Sequence, residues 1–449
     1  MPVVLATDML VWLLIATAIG YGIYSGGHAH LAGAWNRVFR SKSAMASVVV
    51  LSVFLTIGLL DSLHFRPALQ KSDKAMPTAY SSEVLSVLDV AFSGLRGRGE
   101  KTYSAPLATR SYAKEQVELP DGKQVREFPR LRYGGVHLKD ESEWRVDIAK
   151  KILLGIGVAV LLTPVLWLGY WWFRRVAPAF PWGASFTMLG VFLFLLSPAL
   201  VLSGGYHVFG TDKVGQDVFY LAFKSIRTSI VIGTLTTVVL LPVGIALGMM
   251  AGYFRGWVDD AIQYVYTTLY SIPGVLLIAA SVLMVQVYID THPNLFSTAA
   301  ERADFRLLML CVILGLTSWT GLARLLRGET LKLSELEYVQ AAHAFGVSNA
   351  RILMRHVLPN LGHLVIITLA LDFSGFVLSE AVLSYIGVGV DPSTNSFGTM
   401  INAARLEMSR EPVVWWALAT AFTFMFALVL AANLFADAVR DGFDPRVRV

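Results

Sequence analysis

The run Gly94-Leu95-Arg96-Gly97-Arg98-Gly99-Glu100-Lys101-Thr102 is this chain's closest approach to a phosphate-binding loop. Such a cradle needs its lysine directly after the last glycine, with a strand before the loop and a helix after it. Here Glu100 separates Gly99 from Lys101 and neither flank fits, so a flexible basic loop is the expectation. No other stretch resembles a nucleotide-binding loop, and the chain by itself is not expected to hydrolyse ATP. There is no HExxH pair for a metalloprotease and no GxSxG elbow for an esterase. His28 and His30 lack further ligands nearby and read as a solvated loop, and His343, His356 and His363 surround one later loop. The single cysteine, Cys311, lies in an apolar run, which leaves neither a disulfide nor a zinc cluster within the chain. No catalytic residue, metal or cofactor is expected.

The remaining candidates are ionisable groups inside apolar runs, where a charge is costly and faces protein or water. Asp8 lies near a run's end and is expected to reach the membrane interface. Asp372 and Glu380 share one run, eight residues apart, which sets them about 80° from alignment on a straight helix. Two readings stand for each: lining a pathway for a charged solute, or a satisfied hydrogen bond between helices.

These groups would be carried by membrane spans. The 449 residues are 55% hydrophobic and only 15% charged, with a mean hydropathy of +0.58, which excludes an ordinary soluble domain. The formal net charge of +5 fits basic loops on one side of a membrane better than a nucleic-acid surface. A crossing helix needs about 20 apolar residues. Nine runs qualify, at roughly 3–24, 44–63, 152–173, 185–203, 228–252, 261–288, 307–326, 363–386 and 413–435. The first reads as a retained span, since no basic region precedes it. Pro242 and Pro273 fall inside runs and are expected to kink them. Basic residues gather in alternate loops, at Arg37, Arg40 and Lys42, at Arg174 and Arg175, at Arg327, Lys332, Arg351 and Arg355, and at Arg440, Arg446 and Arg448. Nine spans with the N-terminus outside put all four groups in the cytoplasm. The polar stretch 64–151 then lies outside, as a small domain or extended cover. A helix at Val84–Val90 and strands at Gln116–Glu118 and Arg126–Tyr133, around an Asp121-Gly122 turn, are expected in it.

One loop has the pattern of a docking element. From Ser334 to Asn360 the chain reads as two short helices joined at a glycine. Ser334 and Glu337 have capping-box spacing, and Tyr338, Ala341, Ala342 and Phe345 recur at helical spacing. Gly346 can end the first helix left-handed, Ser348 can cap the second, and Pro359 is expected to help stop it. Adjacent alanines and a glycine offer a nearly flat surface that can enter a groove on another protein. Local physics alone favours an amphipathic loop packed on its own membrane domain.

Gln340-Ala341-Ala342, Gly346 and Leu358-Pro359 resemble the EAA coupling loop of binding-protein-dependent ABC importer permeases, with Gln340 at the usual glutamate. The flanks Glu337-Tyr338-Val339 and Arg355-His356-Val357-Leu358-Pro359-Asn360 are similar to the oligopeptide/dipeptide branch. His207 to Val218 is similar to the family's HPLGTDxxGRDV segment, with Gln216 in place of arginine. Within it Gly210, Thr211, Asp212, Gly215 and Asp217 form an outer-mouth motif, structural or in contact with ligand; Asp212 and Asp217 suit hydrogen bonds to local backbone. Ala251–Asp259, Ser271-Ile272-Pro273, Ser379–Gly387 and Arg440–Arg446 continue the likeness, which covers about 185–446.

The resemblance implies an all-α polytopic membrane protein with a type I ABC importer permease core of six helices at 185–449. Its coupling loop is at 327–362, with Glu337, Gln340, Ala341, Ala342, Gly346, Leu358 and Pro359 as ATPase-coupling residues. Residues 1–63, 64–151 and 152–184 then form an extension: two spans, an extracytoplasmic segment, and a third span with a linker. Implied partners are a second homologous permease subunit, two cytoplasmic ABC ATPase subunits, a periplasmic peptide-binding protein and the lipid bilayer of a bacterial inner membrane, without nucleic acid. The implied activity is peptide import by alternating access. Nickel chelates or antimicrobial peptides as cargo, or a sensor or assembly protein using the same fold, are the alternatives.

Overall fold

The computed structural model describes residues 1–68, 80–118 and 124–443. Its helices are α1 (Ala6–Gly26), α2 (Ala29–Arg40), α3 (Lys42–Asp61), the short α4 (Val87–Ala91) and α5 (Ser93–Arg96), α6 (Trp144–Val176), α7 (Trp182–Ser203), α8 (Val218–Phe254), α9 (Gly256–Ser271), α10 (Gly274–Thr291), α11 (Ala299–Ser334), α12 (Glu337–Ala344), α13 (Asn349–Ile352), α14 (Leu358–Tyr385), α15 (Phe397–Arg405) and α16 (Trp416–Phe443). Among the described residues nine helical stretches are long and apolar enough to cross a bilayer, one in each expected run. The chain is an all-α polytopic membrane protein.

Two expectations about the runs change. The run 261–288 is two helices: α9 ends at Ser271, and Ile272 is extended before Pro273. Pro273 has no N–H to give and pushes its predecessor out of the helical region, so it separates two helices where a kink was expected. Pro242 stays inside α8. That helix begins at Val218, ahead of the apolar run; its first turns, Val218 to Phe223, are buried in protein.

The chain forms two compact units. One comprises residues 1–4, 39–228 and 394–431. In it the Ser197 hydroxyl of α7 donates to the Gly155 carbonyl of α6 at 2.8 Å, and Ser185 of α7 donates to Met45 of α3 at 3.1 Å. A Cβ on Gly155 would overlap Pro198, so the glycine sets the closeness of α6 and α7. The polar segment starts on a three-stranded antiparallel sheet of β1 (Pro2–Val3), β2 (His64–Phe65) and β3 (Leu85–Ser86). Ser86 and Asp89 cap α4 reciprocally, so the helix expected from Val84 starts later, after the chain leaves the sheet.

The hairpin of β4 (Glu115–Glu118) and β5 (Gln124–Glu127) contains the first expected strand but only the beginning of the second. Beyond Pro129 the backbone turns, and the N–H groups of Arg132, Tyr133 and Gly134 all donate to Glu100. The Asp121-Gly122 turn lies outside the described residues. Lys224, on α8, meets Asp61 at 2.5 Å and Asp89 at 3.1 Å; Ser86 donates to Asp61, and Tyr220 to Asp89. Burial raises the Asp89 carboxyl, but Lys224, Tyr220 and the Ser86 N–H outweigh it and hold it below the usual range.

The second unit comprises residues 5–38, 229–393 and 432–449. Gly244, Gly248 and Gly252 on α8 face α11, four residues apart. Cβ atoms there would lie 2.8 Å from the Leu322 side chain, 2.7 Å from the Ala323 carbonyl and 2.6 Å from the Arg327 carbonyl. Small residues at this spacing let two membrane helices approach backbone to backbone. Arg327 grips Asp259 of α9 through two bonds of 2.6 and 2.7 Å, which holds the Asp259 carboxyl below its usual range. The Thr7 N–H of α1 donates to Asp304 of α11 at 3.1 Å, and its hydroxyl bonds the same carboxylate. Asp8 is 2% exposed; the expectation that it reaches the interface is corrected, because this end of α1 packs on protein. Arg37 of α2 donates twice to the Gly442 carbonyl near the end of α16, where a cation complements the helix dipole.

The α8–α11 contact makes a direct prediction. Gly248→Val forces a branched side chain onto the Ala323 backbone and should destabilise the chain by roughly 1–3 kcal/mol. Gly321→Val, at a helical glycine with no atom near its Cβ position, should cost much less. Denaturant unfolding in detergent micelles compares the two.

Candidate functional site

The docking loop begins where α11 ends. Ser334 is the last residue of α11, its hydroxyl donates to Leu331 at 2.8 Å, and Leu336 occupies the N-cap of α12 without a side-chain bond. The expected capping box does not form, because α11 continues through Ser334 and Glu337 becomes the first residue of α12. The other end of α12 is as expected. Gly346 has φ +73°, its N–H bonds His343, and the Val347 N–H bonds Ala342. This pair of bonds is a Schellman ending, which satisfies carbonyls otherwise orphaned at a helix terminus.

The surface of α12 is less flat than the residue types suggest. Val339 is buried, Ala342 is half-buried, and Glu337, Gln340, Ala341 and Gly346 are exposed. Phe345, at the C-cap, is 87% exposed. It recurs at helical spacing with Tyr338, Ala341 and Ala342, but the helix ends there and its ring is exposed. Tyr338 ties α12 to α14, accepting from Asn360 Nδ2 at 3.1 Å, with its ring 6.1 Å from that of His356.

Beyond Gly346 two expectations are corrected. Ser348 is at the N-cap of α13, but its hydroxyl makes no capping bond. Pro359 does not stop the second helix. Leu353–Val357 form a π-helical turn, and the chain continues as α14 through Tyr385, with Pro359 in its first turn. The wider turn lets proline enter without the usual clash with the carbonyl four residues back.

Arg255 and Glu335, which were not singled out by sequence, complete this loop together with Gln340. Arg255 sits at positive φ between α8 and α9. Its guanidinium pairs with Glu335 and donates to Ser334, and the Arg255 bond holds the Glu335 carboxyl below its usual range. Gln340 Nε2 donates to the backbone and side chain of Glu335 at 3.2 and 3.3 Å. A cleft of about 460 Å³ opens here, lined by Tyr253, Arg255, Glu335, Gln340, His343 and Asn349.

The outer-mouth motif is a closed turn in the other unit. Asp212 Oδ1 accepts the N–H groups of Val214 and Gln216 at 2.9 and 2.7 Å. Asp217 Oδ1 accepts the Phe219 N–H at 2.9 Å and so caps the start of α8. Both fulfil the expected bonding to local backbone. Thr211 is fully buried, accepts the Ser104 N–H at 2.6 Å, and its carbonyl accepts the Trp416 indole N–H. Gly210 and Gly215 have φ of +71° and +81°, and a Cβ on Gly215 would overlap the Glu100 backbone.

Glu100 overturns the reading of its glycine-rich run as a flexible loop. It accepts three backbone N–H groups and faces His207 Nε2 at 3.3 Å, while Asp217 Oδ2 faces His207 Nδ1 at 2.7 Å. Burial alone would raise the Glu100 carboxyl; His207 and the three N–H groups bring it down to about 2. Burial works against a charged His207, yet Asp217 and Glu100 raise it to about 9. The extra residue that spoils the phosphate-loop spacing is the anchor of the segment.

The candidate acids of the eighth run differ in setting. Asp372 is half-buried on α14, whereas Glu380 is 1% exposed and accepts the Ser384 hydroxyl at 2.6 Å. Among the described residues no three His, Cys, Asp or Glu side chains gather as a metal site. Arg446, Arg448 and the rest of the tail from 444 lie outside the described residues.

Residues 244–449 match the family described as binding-protein-dependent transport system inner membrane component. The chain is 30% identical over 244 residues to the glutathione transport system permease protein GsiD of Pectobacterium atrosepticum, covering 54% of this chain and 73% of that protein. It is 29% identical over 245 residues to the oligopeptide transport system permease protein OppC of Mycobacterium tuberculosis, covering 55% and 78%. With the dipeptide transport system permease protein DppC of Bacillus subtilis the identity is 28% over 246 residues, covering 54% and 69%. An α-helical membrane bundle with a Schellman-ended loop helix and likeness to these permeases together place the chain in a family: it belongs to the binding-protein-dependent transport system inner membrane components, as a permease of the oligopeptide/dipeptide ABC importer type.

Proposed function

We propose that this chain is the transmembrane subunit through which oligopeptides or dipeptides enter a bacterial cell by alternating access, driven by separate ATPase subunits. The observation that carries the reading is α12. It is a short helix closed at its C-terminal end by Gly346, and it sits between two membrane helices. Its exposed face includes Gln340, Ala341 and the outward Phe345. A helix held in this way transmits a push without slack. The bond from Asn360 to Tyr338 joins it to α14, and Gln340 joins it through Glu335 to Arg255 at the start of α9.

In this reading Glu337, Gln340, Ala341, Ala342, Gly346, Leu358 and Pro359 form the ATPase-coupling element, and Phe345 is its apolar knob. The N-terminus lies outside, and the loop and C-terminus lie in the cytoplasm, following the basic loops. A second permease subunit, two ATPases and a peptide-binding protein complete the assembly. Residues 185–449 are the transport core and residues 1–184 the extension, although residues 5–38 pack in the same unit as 229–393. Peptide cargo is supported by the relatives, named for oligopeptide, dipeptide and glutathione transport. Asp372, half-buried, is the better placed of the two acids to meet a charged solute; Glu380, bonded by Ser384, suits a gating or structural role.

Ala341→Asp places a charge on the proposed docking face, where burial without a partner is costly. It should leave the protein at normal levels in the membrane but reduce peptide uptake at least about tenfold, since each 1.4 kcal/mol of lost docking is a factor of ten. It should also abolish co-purification of the ATPases. Normal uptake with ATPases still bound defeats the docking assignment.

The polar segment is proposed to help capture the binding protein. Replacing residues 116–126 by a short linker keeps the outermost pair, Glu115 with Glu127, to close the hairpin and should weaken capture without affecting ATPase association. An unchanged affinity in a pull-down rules this out.

A further inference from the structure

His207 has a carboxylate on each ring nitrogen, and all three side chains are almost completely buried. Asp217 belongs to the start of α8, and Glu100 to the polar segment. A neutral imidazole donates from one nitrogen only, so both contacts are hydrogen bonds only when the ring is doubly protonated. We propose that Glu100 is a positioning residue of this permease: with His207 and Asp217 it completes a carboxylate–imidazolium–carboxylate clasp that holds the turn 210–217 and the first turn of α8. The use of the clasp rests on the transport reading above, but its existence and test do not.

The surroundings support a clasp over an incidental contact. The Glu100 N–H donates to the Gly215 carbonyl at 2.9 Å, and Gly215 has no side chain where Glu100 passes. Ser104, four residues on, donates its N–H to Thr211, and Leu107 donates to the His207 carbonyl. The polar segment thus touches the turn near both ends, at Thr211 and Gly215, and touches His207 just before it. Removal of Glu100 would leave three backbone N–H groups and one imidazole nitrogen without their acceptor.

The charged groups facing His207 are Asp217 from α8 and Glu100 from the segment. Next to these, Asp212 is engaged by backbone N–H groups of its own turn; burial raises its carboxyl. Lys101 pairs outward with Glu115, and the Arg132 guanidinium lies over the Tyr133 ring. Glu407, with Arg410 and Tyr103, forms a separate group. The sign of the pH dependence follows from the raised value of His207. The clasp contributes fully below about 6.5, the ordinary histidine value, and is lost as pH rises through about 9. Glu100, held down at about 2, keeps its charge throughout that range.

The test is hydrogen–deuterium exchange of the full chain in lipid nanodiscs, with variants compared at matched pH. Backbone amides of Ser104, Arg132, Tyr133 and Gly134 report on the clasp. In the wild type their protection should hold through neutral pH and fall near pH 9. In Glu100→Gln, which keeps the shape and an acceptor oxygen, the midpoint should fall by roughly 1–3 pH units, the effect of losing one adjacent opposite charge. In His207→Gln the midpoint should disappear. Glu115→Gln, which removes only the exposed partner of Lys101, should leave it in place.

A merely structural role would lower protection equally at every pH. An unmoved midpoint in Glu100→Gln, or a midpoint that survives in His207→Gln, overturns the proposal. If Glu100→Gln does not fold, the His207→Gln profile decides alone. None of these readouts requires transport, so failure here leaves the permease assignment standing, and loss of uptake with an intact clasp would fault only that assignment.

Discussion

A charge can enter an apolar interior only in the company of its partner. Unpaired burial costs several kcal/mol, and in a chain this poor in charged residues each buried pair therefore marks a place where two elements must meet. Lys224 with Asp61 and Asp89 joins α8 to the end of α3 and to α4. Arg327 with Asp259 joins α11 to α9. Thr7 with Asp304 joins α1 to α11. In lipid, where apolar side chains gain little from leaving one hydrocarbon for another, such pairs and close backbone approach through glycine provide much of the specificity between helices.

The loop carrying α12 obeys a different constraint. It lies between spans, and backbone geometry holds it. The left-handed Gly346 closes the helix, the π turn at Leu353–Val357 admits Pro359 without breaking the chain, and Asn360 reaches back to Tyr338. The exposed Phe345 thus sits at the end of a helix tied to α14. The proposed coupling role would draw on this geometry, since force passed through a loose loop would be lost in its rearrangement.

The polar segment shows how sequence appearance can mislead. Gly94–Thr102 has the composition of a flexible basic loop, yet its single carboxylate, Glu100, collects three backbone N–H groups and a buried imidazole. The partners lie at Arg132, Tyr133, Gly134 and His207, distant in the chain. No local pattern announces such a convergence; the only sign is an acid interrupting an otherwise basic run.

Much of the architecture was legible beforehand. Hydropathy placed the nine crossing stretches, because span length is set by the thickness of the bilayer and apolar runs report it directly. Gly346 announced its left-handed turn, and Asp212 and Asp217 their local bonds, since those depend on neighbours within a few residues. The capping of Ser334, the ends of α9 and α14, the burial of Asp8 and the outward turn of Phe345 were decided only by the tertiary structure. Each depends on where a helix stops or what packs against it, and that is settled by contacts between residues far apart in sequence. Local order follows from short-range chemistry written in adjacent residues, whereas partnership across the fold exists only once the chain has closed on itself.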